Sequence, residues 1–347
     1  MNNTKNYPFV FTGTGGEYFR IWIVNIALTI ITLGIYSAWA KVRTNRWFYG
    51  HTLLDNSPFS YLATPMQILK GRLIAAALLI IYSITSSFAP AIAALIMLAI
   101  MIASPWIIVM ALRFAARQSA YRGLKFNFTG SVGEAALVYL LLPVVSMLSL
   151  GLALPYTAYR QVRFLASNYV YGETPTTYEG SLKPFWGVYL SALALLLIPI
   201  GFFAYSAYSA YQLSAMGMPK EFVIASITSL IIIGVISFYL MIPILVAFIQ
   251  ARKANLYYNH LVLKNVRFHS TQRARDLVWI FISNLILIAI TFGLFIPFAA
   301  VRIARYRSEH LVVISDDLAS FATQARESMS AVGAEISDLF DMDIGIA

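Results

Sequence analysis

Cysteine is absent from all 347 residues of the chain. Disulfide bonds, thiolate metal sites and cysteine nucleophiles are therefore excluded. Histidine is scarce, and the four histidines show no HExxH or other zinc-ligand spacing: His51, His260, His269 and His310. The glycine-rich segment at residues 13–16 matches neither a dinucleotide nor a phosphate-loop fingerprint. We therefore expect no catalytic residues, no cofactor and no metal, and we predict that the protein is not an enzyme.

Charged residues are also few: they make up 12% of the chain, against 59% hydrophobic residues and a mean hydropathy of +0.72. Soluble domains have about 25% charged residues, so the solvent of this chain is the lipid bilayer. The net charge of +10 is typical of cytoplasmic loops that contact anionic phospholipids, and we expect no nucleic acid partner. The first apolar run begins near Ile21 without a signal-peptide cleavage site, so we expect insertion through internal helices.

Long apolar runs predict four membrane-spanning helices in two hairpins. The first hairpin covers about residues 73–112, which is too long for one crossing of roughly 20 residues. Ser86, Ser87 and Pro90 provide its turn. The second hairpin covers about residues 186–249, where a polar turn at residues 216–221 separates two apolar runs.

Three further segments share one pattern, which predicts an internal repeat with units at about residues 9–50, 126–168 and 268–310. Each unit has a glycine, an acid seventeen positions before it, and arginines nine and twelve positions after it. The glycines are Gly34, Gly151 and Gly293, the acids are Glu17, Glu134 and Asp276, and the arginines are Arg43, Arg46, Arg160, Arg163, Arg302 and Arg305. Two units add a proline four positions after the glycine: Pro155 and Pro297.

Each unit is predicted to be a short extended piece, a capped helix, a break at the glycine, and a second helix that ends in the arginines. Two units begin with an S/T-x-x-E capping box, formed by Thr14 with Glu17 and by Ser131 with Glu134. Asp276 lacks this spacing, but its charge favours the positive end of the helix dipole. The predicted fold is thus an all-α polytopic membrane protein.

The basic residues favour one topology over another. If each repeat helix crosses the membrane, giving seven transmembrane helices, the basic residues divide almost evenly between the two sides, against the positive-inside rule. If each helix breaks at its glycine and returns, Lys220 alone of the 25 Lys and Arg residues lies outside. We therefore favour four spans plus three re-entrant elements, with a cytoplasmic C-terminus. Such broken helices must be covered by protein or line a wet cavity, and they occur at substrate sites of transporters.

The last part of the chain differs in composition, which divides the protein into a membrane domain, residues 1–314, and a tail, residues 315–347. The tail has seven of the fifteen Asp and Glu residues and one base, Arg326. Its apolar residues recur every three or four positions, which predicts an amphipathic cytoplasmic helix: Leu318, Phe321, Ala325, Met329, Val332, Ile336 and Leu339. We expect residues 316–347 either to dock on the basic face of the protein itself or to bind a partner protein.

Four segments resemble one known family: FVFTGTG at 9–15, LTIITLGIY at 28–36, FAARQSAYRG at 114–123 and DLFDMDIG at 338–345. They are similar to the uncharacterised bacterial inner-membrane family typified by YjgN, and the similarity covers nearly the whole chain. The resemblance implies a location in the bacterial inner (cytoplasmic) membrane and no established activity. It also makes a membrane-associated protease a candidate partner.

Two classes of function stay open. The first is a transporter or channel-like pathway for a small solute, an ion or an anionic lipid headgroup through the three helix breaks. In this hypothesis the six arginines bind the anion and the three acids pair with them; otherwise these charges are topology signals and interfacial salt bridges. The second class is a scaffold or adaptor for an envelope protein. Asn25 and Asn284, nine positions before the glycine in two units, are expected to form interhelical hydrogen bonds.

Overall fold

The computed structural model describes residues 4–316 and residue 318. Its helices, in chain order, are α1 (Gly15–Ile31), α2 (Ser37–Gly50), α3 (Pro65–Phe88), α4 (Pro90–Arg117), α5 (Val132–Ala136), α6 (Leu142–Leu148), α7 (Leu154–Ser167), α8 (Lys183–Ala215), α9 (Lys220–Tyr258), α10 (Ala274–Ile290) and α11 (Ile296–Glu309). A π-helical turn, Leu137–Leu141, joins α5 to α6, so that Val132–Leu148 form one apolar helix.

Four of these helices are long and apolar enough to cross a membrane: α3, α4, α8 and α9. They confirm the four predicted spans and extend both hairpins beyond the predicted limits. Ala89 alone separates α3 from α4. Since Pro90 lacks an amide hydrogen and is placed at the start of a helix, it ends the first span and begins the second.

The protein is mostly helical, as predicted, but the all-α prediction lacks a sheet, because short strands lie between the helices. They are β1 (Lys5–Phe11), β2 (Thr52–Leu54), β3 (Ser57–Tyr61), β4 (Ser119–Tyr121), β5 (Leu124–Phe128), β6 (Tyr169–Tyr171), β7 (Thr174–Pro175), β8 (Thr177–Tyr178), β9 (Leu261–Leu263), β10 (Val266–Ser270) and β11 (Leu311–Ser315). They form one antiparallel sheet of 11 strands in the order β7-β6-β5-β4-β3-β2-β1-β11-β10-β9-β8. Only Thr176 separates the two edge strands, β7 and β8, along the chain, so the sheet is close to a barrel.

The helices are connected to the sheet in pairs. Each pair leaves the sheet from one strand and returns to a neighbouring, hydrogen-bonded strand; the flanking strand pairs are β1/β2, β3/β4, β5/β6, β8/β9 and β10/β11. One backbone hydrogen bond closes the base of each pair at nearly the same length: Thr12 to His51 (3.0 Å), Leu62 to Gln118 (2.8 Å), Thr129 to Asn168 (2.9 Å), Glu179 to His260 (2.9 Å) and Thr271 to His310 (3.0 Å). Five helix pairs therefore share one way of joining the sheet.

Three of the five pairs are short and have the predicted break. In each, a first helix of 17 residues precedes a second helix of 14 residues. The glycines have φ values of +92°, +91° and +92° at Gly34, Gly151 and Gly293. Each glycine amide donates a 2.8 Å hydrogen bond to the carbonyl five residues earlier. This left-handed ending requires glycine, and it stops the first helix at the predicted position.

The chain divides into two compact units. Among the described residues, the first contains 4–180, 257–271 and 296–318 except 317, and holds the whole sheet with α1 to α7 and α11. One of its core clusters lies inside the sheet and includes Leu54, Tyr121 and Val313. The second contains residues 181–256 and 272–295, with α8, most of α9, and α10. Within it, the Phe203 ring packs so closely on Gly234 that a side chain there would clash.

Candidate functional site: a cavity inside the sheet

The sheet has an aromatic inner face because of strand alternation and register. In β1, Phe9 faces inward while its neighbours Pro8 and Val10 are exposed. Phe9 lies opposite Leu54 in the β1–β2 pair. The equivalent positions of three other strand pairs hold Phe59 opposite Tyr121, Phe126 opposite Tyr171, and Phe268 opposite Val313. The repeated register therefore places a large apolar pair on the inner face at each of these positions.

Tight turns hold this register. The β2–β3 turn has two residues with positive φ, Asp55 (47°) and Asn56 (55°), and the β4–β5 turn has Arg122 (49°) and Gly123 (82°). Two-residue turns of this kind match the twist of antiparallel strands and fix which residues face each other. The two turns are also tied together, because Arg122 forms an ion pair of 2.5 Å with Asp55.

The inner face encloses a cavity of about 340 Å³. It is lined by Phe9, Leu54, Phe59, Tyr121, Phe126, Tyr169, Val170, Tyr171, Thr176, Tyr257, Tyr258, Leu261, Leu263, Val266, Phe268, Leu311, Val313 and Leu318. None of these described lining residues has a charged side chain. The interior of an eight-stranded barrel is filled by side chains or holds one small ligand. A sheet of 11 strands encircles a wider interior, so a cavity is left even when many of the inward-facing side chains are aromatic.

Aromatic rings form a continuous row along the cavity wall. Phe9 stacks on Phe59 with ring centroids 5.9 Å apart, and Phe59 stacks on Tyr121 at 4.7 Å. The row continues from Tyr121 to Tyr171 at 6.4 Å and from Tyr171 to Phe126 at 5.0 Å. These separations lie in or near the range of favourable ring contacts, so the wall is rigid and presents ring faces and edges to the cavity.

Two of the tyrosine hydroxyls in the lining donate hydrogen bonds to the backbone. Tyr121 donates a 2.7 Å hydrogen bond to the Leu54 carbonyl, and Tyr171 donates a 3.0 Å hydrogen bond to the Tyr121 carbonyl. Burial raises the pKa of Tyr121 above its ordinary value, so this phenol is neutral at physiological pH. The cavity thus offers apolar contacts and few free polar groups.

Leu318 places the start of the predicted tail at this cavity. Its side chain is 5% exposed and belongs to the core cluster inside the sheet. The rest of the predicted amphipathic helix, residues 319–347, lies outside the described residues.

The predicted break residues lie in and after the turns between paired helices. Pro155 and Pro297 are buried in the first turns of α7 and α11, where a missing amide hydrogen is tolerated. The residue before each glycine is almost fully exposed: Leu33 by 94%, Leu150 by 96% and Phe292 by 97%. Large apolar side chains at these turns suit a hydrocarbon environment and not water.

Four of the six predicted arginines each donate a hydrogen bond to a different residue. Arg46 donates a 3.1 Å hydrogen bond to the Ala63 carbonyl, and Arg305 donates a 3.0 Å bond to the Gly13 carbonyl. Arg160 donates to the Tyr156 hydroxyl (3.0 Å) and Arg163 to the Tyr159 hydroxyl (3.4 Å). Arg43 and Arg302 lie on α2 and α11, one turn before Arg46 and Arg305. The shared anion cluster of six arginines stays a prediction.

The predicted helix caps are found at the starts of the first helices. Thr14 and Glu17 form the full capping box of α1, and the Ser131 hydroxyl accepts the Glu134 amide at 3.2 Å. Asp276 lies in the first turn of α10 and pairs with its neighbour Arg275 at 3.2 Å.

The two predicted asparagines are buried, with Asn25 5% and Asn284 4% exposed. The Asn25 side chain has no hydrogen-bond partner among the described residues, so the interhelical bond that we predicted for it is not formed there.

Sequence reasoning missed the cavity because the strands are only two to seven residues long. The signal that was available is the set of two-residue turns, Asp55-Asn56 and Arg122-Gly123, between short runs of aromatic and β-branched residues.

The fold and the site define a polytopic membrane protein whose helix pairs are joined through a near-barrel of strands with an apolar cavity. The chain belongs to the family described as "Bacterial protein of unknown function (DUF898)", whose profile matches residues 6–339. This confirms the family resemblance predicted from the sequence.

Named relatives agree with a membrane location. The chain is 26% identical over 368 residues to inner membrane protein YjgN of Salmonella typhimurium (strain LT2), covering 91% of this chain and 92% of the relative. It is 30% identical over 150 residues to inner membrane protein YjgN of Escherichia coli O157:H7, covering 43% of this chain and 38% of the relative. No solved structure matches the chain. The names and the four apolar helices together support an inner membrane protein of unknown function.

Proposed function

We propose that this protein is a membrane-anchored binding protein for an apolar or amphiphilic small molecule, which is held in the cavity of the sheet. The observation that supports this most directly is the cavity itself: about 340 Å³, on the inner face of the sheet and lined by apolar and aromatic side chains. This volume lies at the lower end of the roughly 300–1,000 Å³ range of small-molecule pockets.

The lining determines the class of ligand. An ion bound here would lose its water without meeting a charged partner, because none of the described lining residues is charged. An alkyl chain, an isoprenoid segment or a flat ring system instead gains contact with the row of rings from Phe9 to Tyr171. We therefore propose binding of the apolar part of a lipid-like molecule and not of a free ion.

We further propose that the five helix pairs are copies of one unit, and that the three short pairs are re-entrant. A 17-residue helix is about 25 Å long, which is shorter than the roughly 30 Å hydrocarbon core. Each short pair returns to the strand beside the one it left, and its turn exposes Leu33, Leu150 or Phe292. These features support a turn inside the bilayer, with the sheet and the C-terminus on the cytoplasmic side.

The two functions predicted from the sequence, a solute pathway and a scaffold, are supported by fewer observations than ligand binding in the cavity. A solute pathway through the helix breaks stays a proposal from the sequence, because Gly34 is exposed at its turn and lines neither the cavity in the sheet nor the one between α1, α2 and α3. A scaffold that presents residues 316–347 to an envelope protein, such as a membrane-associated protease, is supported by Leu318, which anchors the start of that segment.

The proposed binding can be tested with a photoreactive probe. The full-length protein in nanodiscs is irradiated with a diazirine-labelled dodecanol, and the modified peptides are identified by mass spectrometry. We expect adducts on the strands, in particular on β1, β3 and β4, in addition to the membrane helices. Adducts confined to the helices would contradict the proposal.

Two neighbouring valines of β11 provide a matched pair of variants. Val313 is 1% exposed and lines the cavity, whereas Val312 does not line it. Val313→Phe is expected to fill the cavity and reduce strand adducts about tenfold, while Val312→Phe leaves them unchanged. Equal labelling of the two variants would show that the probe binds elsewhere.

A further inference from the structure

A second cavity, of about 310 Å³, lies between α1, α2 and α3, and it differs from the first in having two basic side chains, Lys41 and Arg72, in its lining. Its polar lining comes from all three helices: Asn25, Thr29, Ser37, Lys41, Thr44 and Arg72. No lining residue among those described has a carboxylate. The positive charges of Lys41 and Arg72 are therefore not balanced within the lining.

Asn25 is the residue that indicates a ligand. Its side chain is 95% buried and borders the cavity, yet neither its Oδ1 nor its Nδ2 atom has a hydrogen-bond partner among the described residues. A buried carboxamide without partners destabilises a protein, and most such groups in native structures are paired. Both atoms are enclosed by protein here, so a ligand in the cavity would provide the missing partner once the carboxamide rotates toward it.

The two cationic side chains, Lys41 and Arg72, do not lie at the ends of α2 and α3 that join the sheet. Lys41 is near the start of α2, next to the break, and Arg72 lies two turns into α3. The Arg72 guanidinium donates to the Ser37 hydroxyl, which holds it over the cavity. Cations within membrane helices are costly, and they generally face a partner or a water-filled cavity.

We propose that Asn25, Lys41 and Arg72 bind a phosphate group, either of an anionic phospholipid or of free phosphate. The guanidinium and ammonium supply charged donors, and the carboxamide Nδ2 and the hydroxyls of Ser37 and Thr44 supply neutral ones. Ile26 and Ile30 form an apolar part of the wall beside them, which suits an attached acyl chain. This site is independent of the sheet cavity and of the six arginines considered above.

Native mass spectrometry of the full-length protein in a neutral detergent tests the proposal. The probes are dihexanoyl phosphatidylglycerol, dihexanoyl phosphatidylcholine and inorganic phosphate. We expect at least tenfold tighter binding of phosphatidylglycerol than of phosphatidylcholine if a lipid headgroup is the ligand. Competition by millimolar phosphate, with a phosphate adduct, would assign the site to the free anion. If neither phosphatidylglycerol nor phosphate binds preferentially, the proposal is wrong.

Variants separate a built site from general charge attraction. Lys41→Gln with Arg72→Gln is expected to weaken binding at least tenfold. Arg20→Gln with Lys70→Gln removes the same charge from α1 and α3, but neither residue lines the cavity, so binding should stay within twofold. Equal weakening in both pairs would overturn the proposal.

Asn25→Leu provides a readout that a damaged fold cannot imitate. Removing the unpartnered carboxamide should raise the melting temperature of the ligand-free protein and at the same time abolish the preference for the anionic probe. A variant that melts higher and still binds with unchanged preference would remove Asn25 from the site.

Discussion

The hydroxyl of Tyr171 reaches across β5 and donates a 3.0 Å hydrogen bond to the backbone carbonyl of Tyr121. Tyr121 makes the same kind of contact one step further, across β3 to the carbonyl of Leu54 at 2.7 Å. Each tyrosine thus connects strands that are not neighbours in the sheet. Such a bond is possible only where the sheet is strongly curved, so the two tyrosines help to hold the sheet in its near-barrel form.

Tyr121→Phe should therefore destabilise the sheet. The variant keeps the ring but removes the donor to a buried carbonyl, which costs about 1–3 kcal/mol. Thermal unfolding of the purified protein, followed by circular dichroism, measures the effect. Tyr211→Phe serves as the control because Tyr211 is 70% exposed, and its melting temperature should be unchanged. Equal melting of both variants would argue against a structural role for the hydroxyl.

The buried tyrosines also predict how stability depends on pH. Burial raises the pKa of Tyr121, Tyr169 and Tyr178 above the ordinary value of 10.0. The folded state therefore holds these phenolic protons more tightly than the unfolded state, and the resulting stability is complete below pH 10 and is lost above it. We expect a constant melting temperature between pH 7 and 9 and a fall from pH 10 upward. Absorbance at 295 nm should show that tyrosinate forms together with unfolding.

The helix breaks can be tested with two glycines that differ only in backbone conformation. An added Cβ meets no atom within 4 Å at either Gly34 or Gly16, but only Gly34 has a positive φ, of +92°. Gly34→Ala should destabilise the protein by about 1 kcal/mol, because alanine resists that conformation. Gly16→Ala, in the first turn of α1, should be neutral or stabilising. Equal melting temperatures of the two variants would show that the positive φ at Gly34 does not decide the outcome.

The four spans and the glycine breaks were predictable because each depends on a strong local signal, a long apolar run or a glycine at the end of a helix. The sheet was not, because its strands are short and its register depends on contacts between segments far apart in the chain, such as Phe9 with Leu54. The two long hairpins were predicted, but not that they join the sheet in the same way as the three short helix pairs. Arg113 donates a 3.1 Å hydrogen bond to the Gly130 carbonyl, just as Arg46 donates a 3.1 Å hydrogen bond to the Ala63 carbonyl. Because α3 and α4 are longer than the helices of the short pairs, the shared residues do not have the same spacing along the sequence.

The proposed topology predicts which residues are accessible from each side of the membrane. Because the chain has no cysteine, single cysteines can be introduced directly. Glu173→Cys lies in the β6–β7 turn next to Gly172, and Met218→Cys lies between α8 and α9. In spheroplasts, an impermeant maleimide should label only the Met218 variant, and lysis should expose the Glu173 variant. External labelling at position 173 would exclude the re-entrant arrangement.

Removal of residues 316–347 should affect the cavity and not membrane insertion. Leu318 is the described residue of this segment whose side chain lines the cavity, and none of α1 to α11 includes residues beyond Glu309. The shortened protein should therefore fractionate with the inner membrane, and its strands should react more strongly with the dodecanol probe. Leu318→Asp should give the same increase in the full-length protein, since a carboxylate is unfavourable inside an apolar lining. Unchanged labelling of both variants would mean that this segment does not control access, and loss from the membrane would show that it is needed for insertion.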